Sequence, residues 1–313
     1  MSTSSITATE TRAPRAGSWW SRHERRFFPY VLLIPFLITL VVFTAWPAID
    51  SFRLSFHKVR NLQSEREYVG LANYERLLTK DKRFRTAIVN GAEFALGTAF
   101  LQMPLALAVA LALNSAVVRF KTMARLAFFA PYITSAIVVA WIFTLIYFKQ
   151  SYGLLNGLLA QFGVEPVYWL SKDLAMPSLI VLGLWTWVGH HSLYFLAGLQ
   201  AVPEELKESA RIDGANGWQL FRNVTLPFLR PIFIFVILTG SIGSFSLFSQ
   251  PYLLFESGSG PLDAGLFPLM YLFFMGFRDN TRMGYASAIG YLLTLIILAI
   301  TAVQLLLIRM WKV

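Results

Sequence analysis

His190, His191 and Tyr194 fall within little more than one helical turn of each other in an otherwise apolar run. A second apolar run carries Ser241, Gly243, Ser244, Ser246, Ser249 and Gln250. Side chains of this set donate and accept hydrogen bonds without charge, which suits a solute rich in hydroxyls. At 1.5 Å per residue, His190 lies roughly 18–20 Å from the end of its run and Ser244 about 20 Å from the start of its own, so the two share a depth. Gly189, His190, His191, Tyr194, Ser244, Ser246, Ser249 and Gln250 are therefore substrate-path candidates. Adjacent His190 and His191 point about 100° apart, so at most one of them faces a given cavity. Close helix packing is the competing reading, and the first one for the Gly and Ser positions, because Gly240 and Ser244 stand four apart. No His-x-x-x-His or His/Glu cluster offers a metal site, and with no cysteine there is neither thiol chemistry nor a Cys-based site. No Gly-rich phosphate loop is present, so neither catalysis nor a cofactor is expected in this chain.

The elements that must hold these groups are membrane spans. Of 313 residues 56% are hydrophobic and 14% charged, against roughly 45–50% and 25% in soluble domains. The net charge of +10 sits mainly between apolar segments and fits anionic lipid and topology rather than nucleic acid. Charge-free runs of about 20 residues predict six transmembrane helices, at 27–49, 94–113, 126–148, 174–202, 231–255 and 283–308. A seventh run, 264–277, is too short to cross and is read as interfacial or re-entrant. Residues 1–26, with five arginines, read as a disordered cytoplasmic tail, and 27–313 as the membrane domain. Six spans put both termini on one side. Lys and Arg number 14 on that side and 13 on the other; the long first loop, with nine of the 13 and five acids, is given less weight, and the termini are placed inside. Glu93 lies near an interface, where hydration or pairing with Arg85 competes with a role as an intramembrane acid. Trp141, Tyr147, Trp185 and Trp187 read as belt or packing aromatics before a sugar-stacking platform.

One polar stretch, 203–227, interrupts the apolar second half. Pro203 suits the first position of a helix, Glu204 and Glu205 its positive end, and Lys207 and Arg211 its other end. Gly214 stands where a left-handed stop is wanted. A second short helix follows through Trp218 and Phe221 and is expected to end at Leu226-Pro227.

The run Glu208-Ser209-Ala210-Arg211-Ile212-Asp213-Gly214-Ala215, with Phe221, Leu226-Pro227 and Pro231 behind it, resembles the EAA loop of the inner-membrane permease subunits of binding-protein-dependent ABC importers. Within these it is similar to the carbohydrate-uptake type, the maltose and glycerol-3-phosphate group. Val69-Gly70-Leu71, Asn73-Tyr74, Leu77, the run from Gly198 to Pro203, Ser257 to Pro261, and Gly284-Tyr285-Ala286 extend the likeness over about 28–308. Ser209 replaces the middle alanine of the motif, and Ser259 breaks the Gly-Gly-Pro usual after the fifth span. The resemblance implies an all-α, MetI-like integral membrane fold in a prokaryotic inner membrane. It also implies a second permease subunit as a heterodimer, two cytoplasmic ATPase subunits that hold ATP and Mg, and an extracytoplasmic solute-binding protein. Glu208, Ser209, Ala210, Asp213, Gly214 and Ala215 would then form the coupling contact with an ATPase. No Lys or Arg lies in a span core, so neutral mono- or oligosaccharides are preferred over a glycerol phosphate. An ion-coupled carrier using Glu93 or His190 is the contrasting reading.

Overall fold

The computed structural model describes residues 19–310 apart from 61–64, 116–117, 257 and 280. Residues 1–18 of the expected tail, and Ser257 of the expected loop motif, lie outside them. The rest of that tail is not irregular: α1 (Trp19–Leu40) begins at Trp19 and runs through it. A π-helical turn, Val41–Ala45, leads on into α2 (Trp46–Leu54), and the stretch Tyr30–Leu54 is apolar and long enough to cross a membrane. The described residues up to Ser51 belong to one compact unit and those from Phe52 onward to a second.

The second unit begins with a two-stranded antiparallel ribbon, β1 (His57–Lys58) and β2 (Glu67–Tyr68), and the short helix α3 (Ala72–Thr79). Asp81 then caps α4 (Lys82–Asn114), its carboxylate accepting from the Phe84 N–H at 3.0 Å. A broken pair follows, α5 (Lys121–Ile133) and α6 (Ala136–Ile146). The third span, expected to be continuous over 126–148, thus bends by 95° at Thr134-Ser135. The two residues adopt extended backbone three and four positions beyond Pro131, whose ring already removes a helix donor, and no charge marks the break in the sequence. After α7 (Leu154–Ala160) comes α8 (Ala175–Ala201), the central helix, with 44% of its most apolar stretch buried.

Two expectations for the next stretch are corrected. The helix after Gly214 does not stop at Leu226-Pro227: α10 (Gly217–Leu220), a π-turn at Phe221–Thr225 and α11 (Leu226–Phe245) form one helical stretch. Leu226 donates to the Phe221 carbonyl five residues back, and this widened turn directly before Pro227 makes room for its ring. At the other end the fifth span stops at Phe245 instead of 255, and residues 249–254 form a separate helix, α12 (Ser249–Leu254), packed on α6. The run 264–277 forms only α13 (Pro268–Phe273) and a π-turn to Arg278, and α14 (Met283–Met310) closes the bundle. Five described helices can cross a membrane, or six if the bent pair counts as one span.

α4 and α8 run parallel, since Phe94 meets Gly183 and Trp187 near their first halves while Ala110 and Leu113 share a cluster with Phe195 and Leu199 near their ends. This arrangement collects the described residues of 57–81, 148–174 and 255–282 on one face of the unit, the loop face, and 203–216 on the other. The loop face is fastened by polar contacts. Asn73 donates to the Ser55 and His57 carbonyls, and the Tyr271 and Tyr285 hydroxyls both donate to Asp81. Arg83 makes two bonds to Asp263, at 2.8 and 2.9 Å. Burial alone would raise the Asp263 carboxyl, but hydrogen bonds from Arg83 and Ser259 outweigh it and hold the group below its ordinary range.

Candidate functional site

The apolar interior divides into two clusters, one around Phe94, Leu182 and Phe267 and one around Ala110, Phe195 and Leu229. Between them lies a cavity of about 230 Å³ walled by α4, α5, α8 and α11. Parallel packing of α4 on α8 sets Gln102 beside His191, and the two side chains are hydrogen-bonded. The break after α5 lets Tyr132 lie flat on the His190 ring, 3.7 Å between centroids and 7° between planes. Tyr194 meets His190 edge-on at 4.9 Å, and Trp187 closes the wall against Phe94.

From α11 the wall is Phe235, Thr239, Gly240, Gly243 and Ser244. The hydroxyls of Thr98, Thr239 and Ser244 donate to their own helix carbonyls four residues back, at 2.6, 2.7 and 2.8 Å. That leaves the oxygen lone pairs to face the cavity as acceptors. Among the described residues no charged side chain lines it.

Of the sequence candidates, His190, His191, Tyr194 and Ser244 come together here, and both histidines reach the wall although only one was expected to. Their rings lie 5.4 Å apart on the curved wall. Gly189 belongs to packing: a Cβ there would overlap the Phe128 carbonyl. No other part of the described chain packs on Gly240 or Gly243, which have open space where a side chain would stand. Ser241 accepts from Gln304 of α14 at 2.8 Å, an interhelical contact. Ser246, Ser249 and Gln250 do not line the cavity, because the helix that was to carry them ends at Phe245. Glu93 is exposed on α4 and Trp141 is exposed on α6; neither reaches it. Sequence reasoning missed Thr98, Gln102, Tyr132 and Thr239. The first two sit four apart in an apolar span and could have been found by that spacing; Tyr132 depends on the unforeseen bend.

The second candidate region is α9 (Glu204–Ile212), on the face opposite the loops. Pro203 precedes its first turn, and Glu204 pairs with Lys207 at 2.9 Å and Arg211 at 3.3 Å. The helix ends in a Schellman arrangement: Gly214 N–H donates to the Arg211 carbonyl at 3.1 Å and Ala215 N–H to the Ala210 carbonyl at 2.9 Å. Gly214 has φ +81°, which only glycine adopts without strain. Asn216 then opens α10 with a capping box, exchanging bonds of 2.9 and 2.8 Å with Gln219. Ala210, Gly214 and Ala215 thereby shape the turn, while Glu208, Ser209 and Asp213 are exposed on its surface. Ile212 is 86% exposed.

Apolar helices around an uncharged hydrogen-bonding cavity, joined by a rigidly turned helix outside the bundle, define a membrane permease. Residues 84–312 match the family described as binding-protein-dependent transport system inner membrane component, and the chain belongs to that family. It is 37% identical over 284 residues to the arabinooligosaccharides transport system permease protein AraP of Bacillus subtilis (strain 168), covering 90% of this chain and 89% of that one. Identity to the trehalose/maltose transport system permease protein MalF of Thermococcus litoralis is 31%, over 88% of this chain and 92% of the other. The fold matches a chain of a bacterial ABC transporter involved in the import of the acidic polysaccharide alginate, with TM-score 0.80, 22% identity and 94% of this chain covered.

Proposed function

We propose that this permease moves a neutral sugar or oligosaccharide into a prokaryotic cell, as one half of a pore completed by a second permease subunit. The observation that carries the reading is the cavity: aromatic faces and uncharged donors and acceptors, with no cation to meet a phosphate or carboxylate. At about 230 Å³ it falls below the roughly 300–1,000 Å³ of sites for drug-sized ligands, consistent with a partner supplying the other wall. The named substrates of the relatives, arabinooligosaccharides and trehalose or maltose, point the same way.

Energy comes from two cytoplasmic ATPase subunits, and solute from an extracytoplasmic binding protein. Both termini and α9 are cytoplasmic, and the loop face is external. Glu208, Ser209 and Asp213 meet the ATPase directly, while Ala210, Gly214 and Ala215 hold the turn that presents them. A docked ATPase pushes α9, and the capped turn passes the motion to the α10–α11 stretch and so to the cavity wall. An ion-coupled carrier is disfavoured by the family match, and of its two candidate proton sites Glu93 lies outside the cavity while His190 is stacked on Tyr132 in the wall. The test is uptake of labelled arabinotriose, maltose and lactose by cells with and without the chain. Saturable, ATP-dependent uptake of at least one of them is expected; uptake that survives ATP depletion and follows the proton gradient would overturn the reading.

A further inference from the structure

A second cavity, of about 300 Å³, opens on the loop face between the end of α6 with residues 168–170 and the end of α12 with the loop that follows it. Tyr147, Lys149, Gln150 and Tyr168 stand on one side, Phe255 and Glu256 on the other.

Both walls are fixed from behind. Asn156, with no exposed surface, spends its entire amide on the first wall. Its Nδ2 group is shared among the Phe148, Lys149 and Val167 carbonyls at 3.0, 2.9 and 2.9 Å. Its Oδ1 accepts from the Val167 N–H and from Trp169 Nε1, each at 3.0 Å. Lys149 and Tyr168 are thus anchored by their own or adjacent backbone. The Tyr147 hydroxyl donates to the Ser178 carbonyl at 2.9 Å, and Ser178 Oγ to the Trp169 carbonyl at the same distance. Opposite, the Phe255 ring lies so close to Gly260 and Gly265 that neither could carry a Cβ without displacing it. Fully satisfied buried networks of this kind make a site rigid before any ligand arrives.

The rims are chemically mixed. Lys149 Nζ stands 5.1 Å from the Tyr168 ring centroid, which holds the ammonium at the mouth. The Gln150 amide adds donors and an acceptor, and Glu256 brings a negative charge to the same lining. One cation and one anion leave no net charge, so a charged solute meets repulsion as well as attraction. Aromatic faces with hydrogen-bonding rims suit a sugar ring, which presents C–H groups on one face and hydroxyls at its edge. We infer that this pocket is an outer saccharide subsite, which holds one neutral sugar residue on the loop face before the solute reaches the mid-membrane cavity. The inference rests on the sugar-permease reading and adds a second station to it.

The chain lacks cysteine, so a single introduced thiol reports on the pocket. In the full chain in lipid nanodiscs, Leu170→Cys, at the pocket wall, is labelled with a maleimide in the presence of maltose, lactose or arabinotriose. With sugar at twice its Kd the free fraction falls to about one third, so labelling by at least one sugar slows about threefold. Adding Tyr168→Ala or Lys149→Ala abolishes the protection, and Phe162→Cys, an exposed site outside the pocket, is labelled equally with and without sugar. Unchanged labelling of Leu170→Cys with all three sugars, or protection that survives both added substitutions, overturns the subsite. Ser244→Cys separates the two ideas: protection there with none at Leu170→Cys sinks the outer subsite and keeps the transport reading, and the reverse keeps the outer subsite and removes the inner one.

Discussion

Polar residues interrupt this apolar chain in two regions whose surroundings are opposite. In the mid-membrane cavity Thr98, Gln102, His191 and Ser244 are buried, and their partners are other side chains or carbonyls of the bundle. On α9 and α10 the capping, the Schellman turn and the Glu204 pairs are complete within the segment, yet Leu206, Ile212 and Trp218 are 43, 86 and 67% exposed. The cavity's residues are fixed by what surrounds them in the chain. Among the described residues the apolar side chains of the connector are left partly or largely uncovered, as the proposed contact with an ATPase subunit would require.

The difference is broken most severely by a pair of glycines. Gly189→Val drives a side chain into the Phe128 backbone, which has no rotamer with which to yield; overpacking typically costs about 1–3 kcal/mol, and a backbone overlap belongs at or beyond the top of that range. Little folded protein should survive detergent extraction and size-exclusion chromatography. Gly240→Val faces open space in the cavity and should leave the folded yield unchanged while blocking uptake. Equal damage from both would mean that the cavity is a packing seam after all.

Gly214→Val probes the other region. Its left-handed backbone costs a residue with a Cβ about 1–2 kcal/mol, confined to a helix end. The expected outcome is normal membrane insertion and thermal stability with loss of ATPase co-purification and of uptake. A variant that loses stability as Gly189→Val does would show that the connector is held by the bundle rather than by a partner.

Within the cavity, Gln102→Ala leaves a buried His191 nitrogen without its partner, at a cost of about 1–3 kcal/mol. A lower melting temperature is expected, largely restored by Gln102→Glu if a hydrogen-bonding group is all that His191 requires. The connector's counterpart is Asn216→Ala, which removes the capping box for about 1 kcal/mol. Its effect should appear as faster hydrogen exchange at the start of α10, with the melting temperature unchanged.

Much of this was legible in the sequence, and the failures have local causes. Charge-free runs locate spans because a charge in the bilayer is expensive, and Gly214 was readable as a left-handed stop from its place after a capped helix. The ends of helices were not readable where no charge or capping residue marks them. Thr134-Ser135 breaks the third span and Phe245 ends the fifth inside runs that hydrophobicity alone cannot divide, so Ser249 and Gln250 were placed in a span they do not belong to. Pro227 misled in the other direction, because a π-turn accommodates it. Gly189 and Gly240 look alike in sequence; only the neighbouring helix decides that one is packed and the other faces space.

The smallest effect separates the regions by pH. Glu204 is held below its ordinary carboxylate value first by the hydrogen bond from Lys207, against a slight opposing effect of burial, and then by the charges of Lys207 and Arg211 and the bond from Arg211. A carboxyl with a depressed folded value contributes stability that is fully present above its unfolded value, 4.5, and is lost as pH falls through the folded one. Glu204 and Arg211 are largely exposed, so salt screens the pairs and the contribution is small. Hydrogen exchange at α9, corrected for the intrinsic rate, should be constant from about pH 8 to about pH 5 and quicken only below 4.5, and high salt should blunt the change. No carboxylate lines the cavity, so Thr98 to Gln102 of α4 should show no matching step. Glu204→Gln should remove the step at α9. A step that persists in that variant would show that the pairs of Glu204 with Lys207 and Arg211 are not the source of the acid sensitivity of α9.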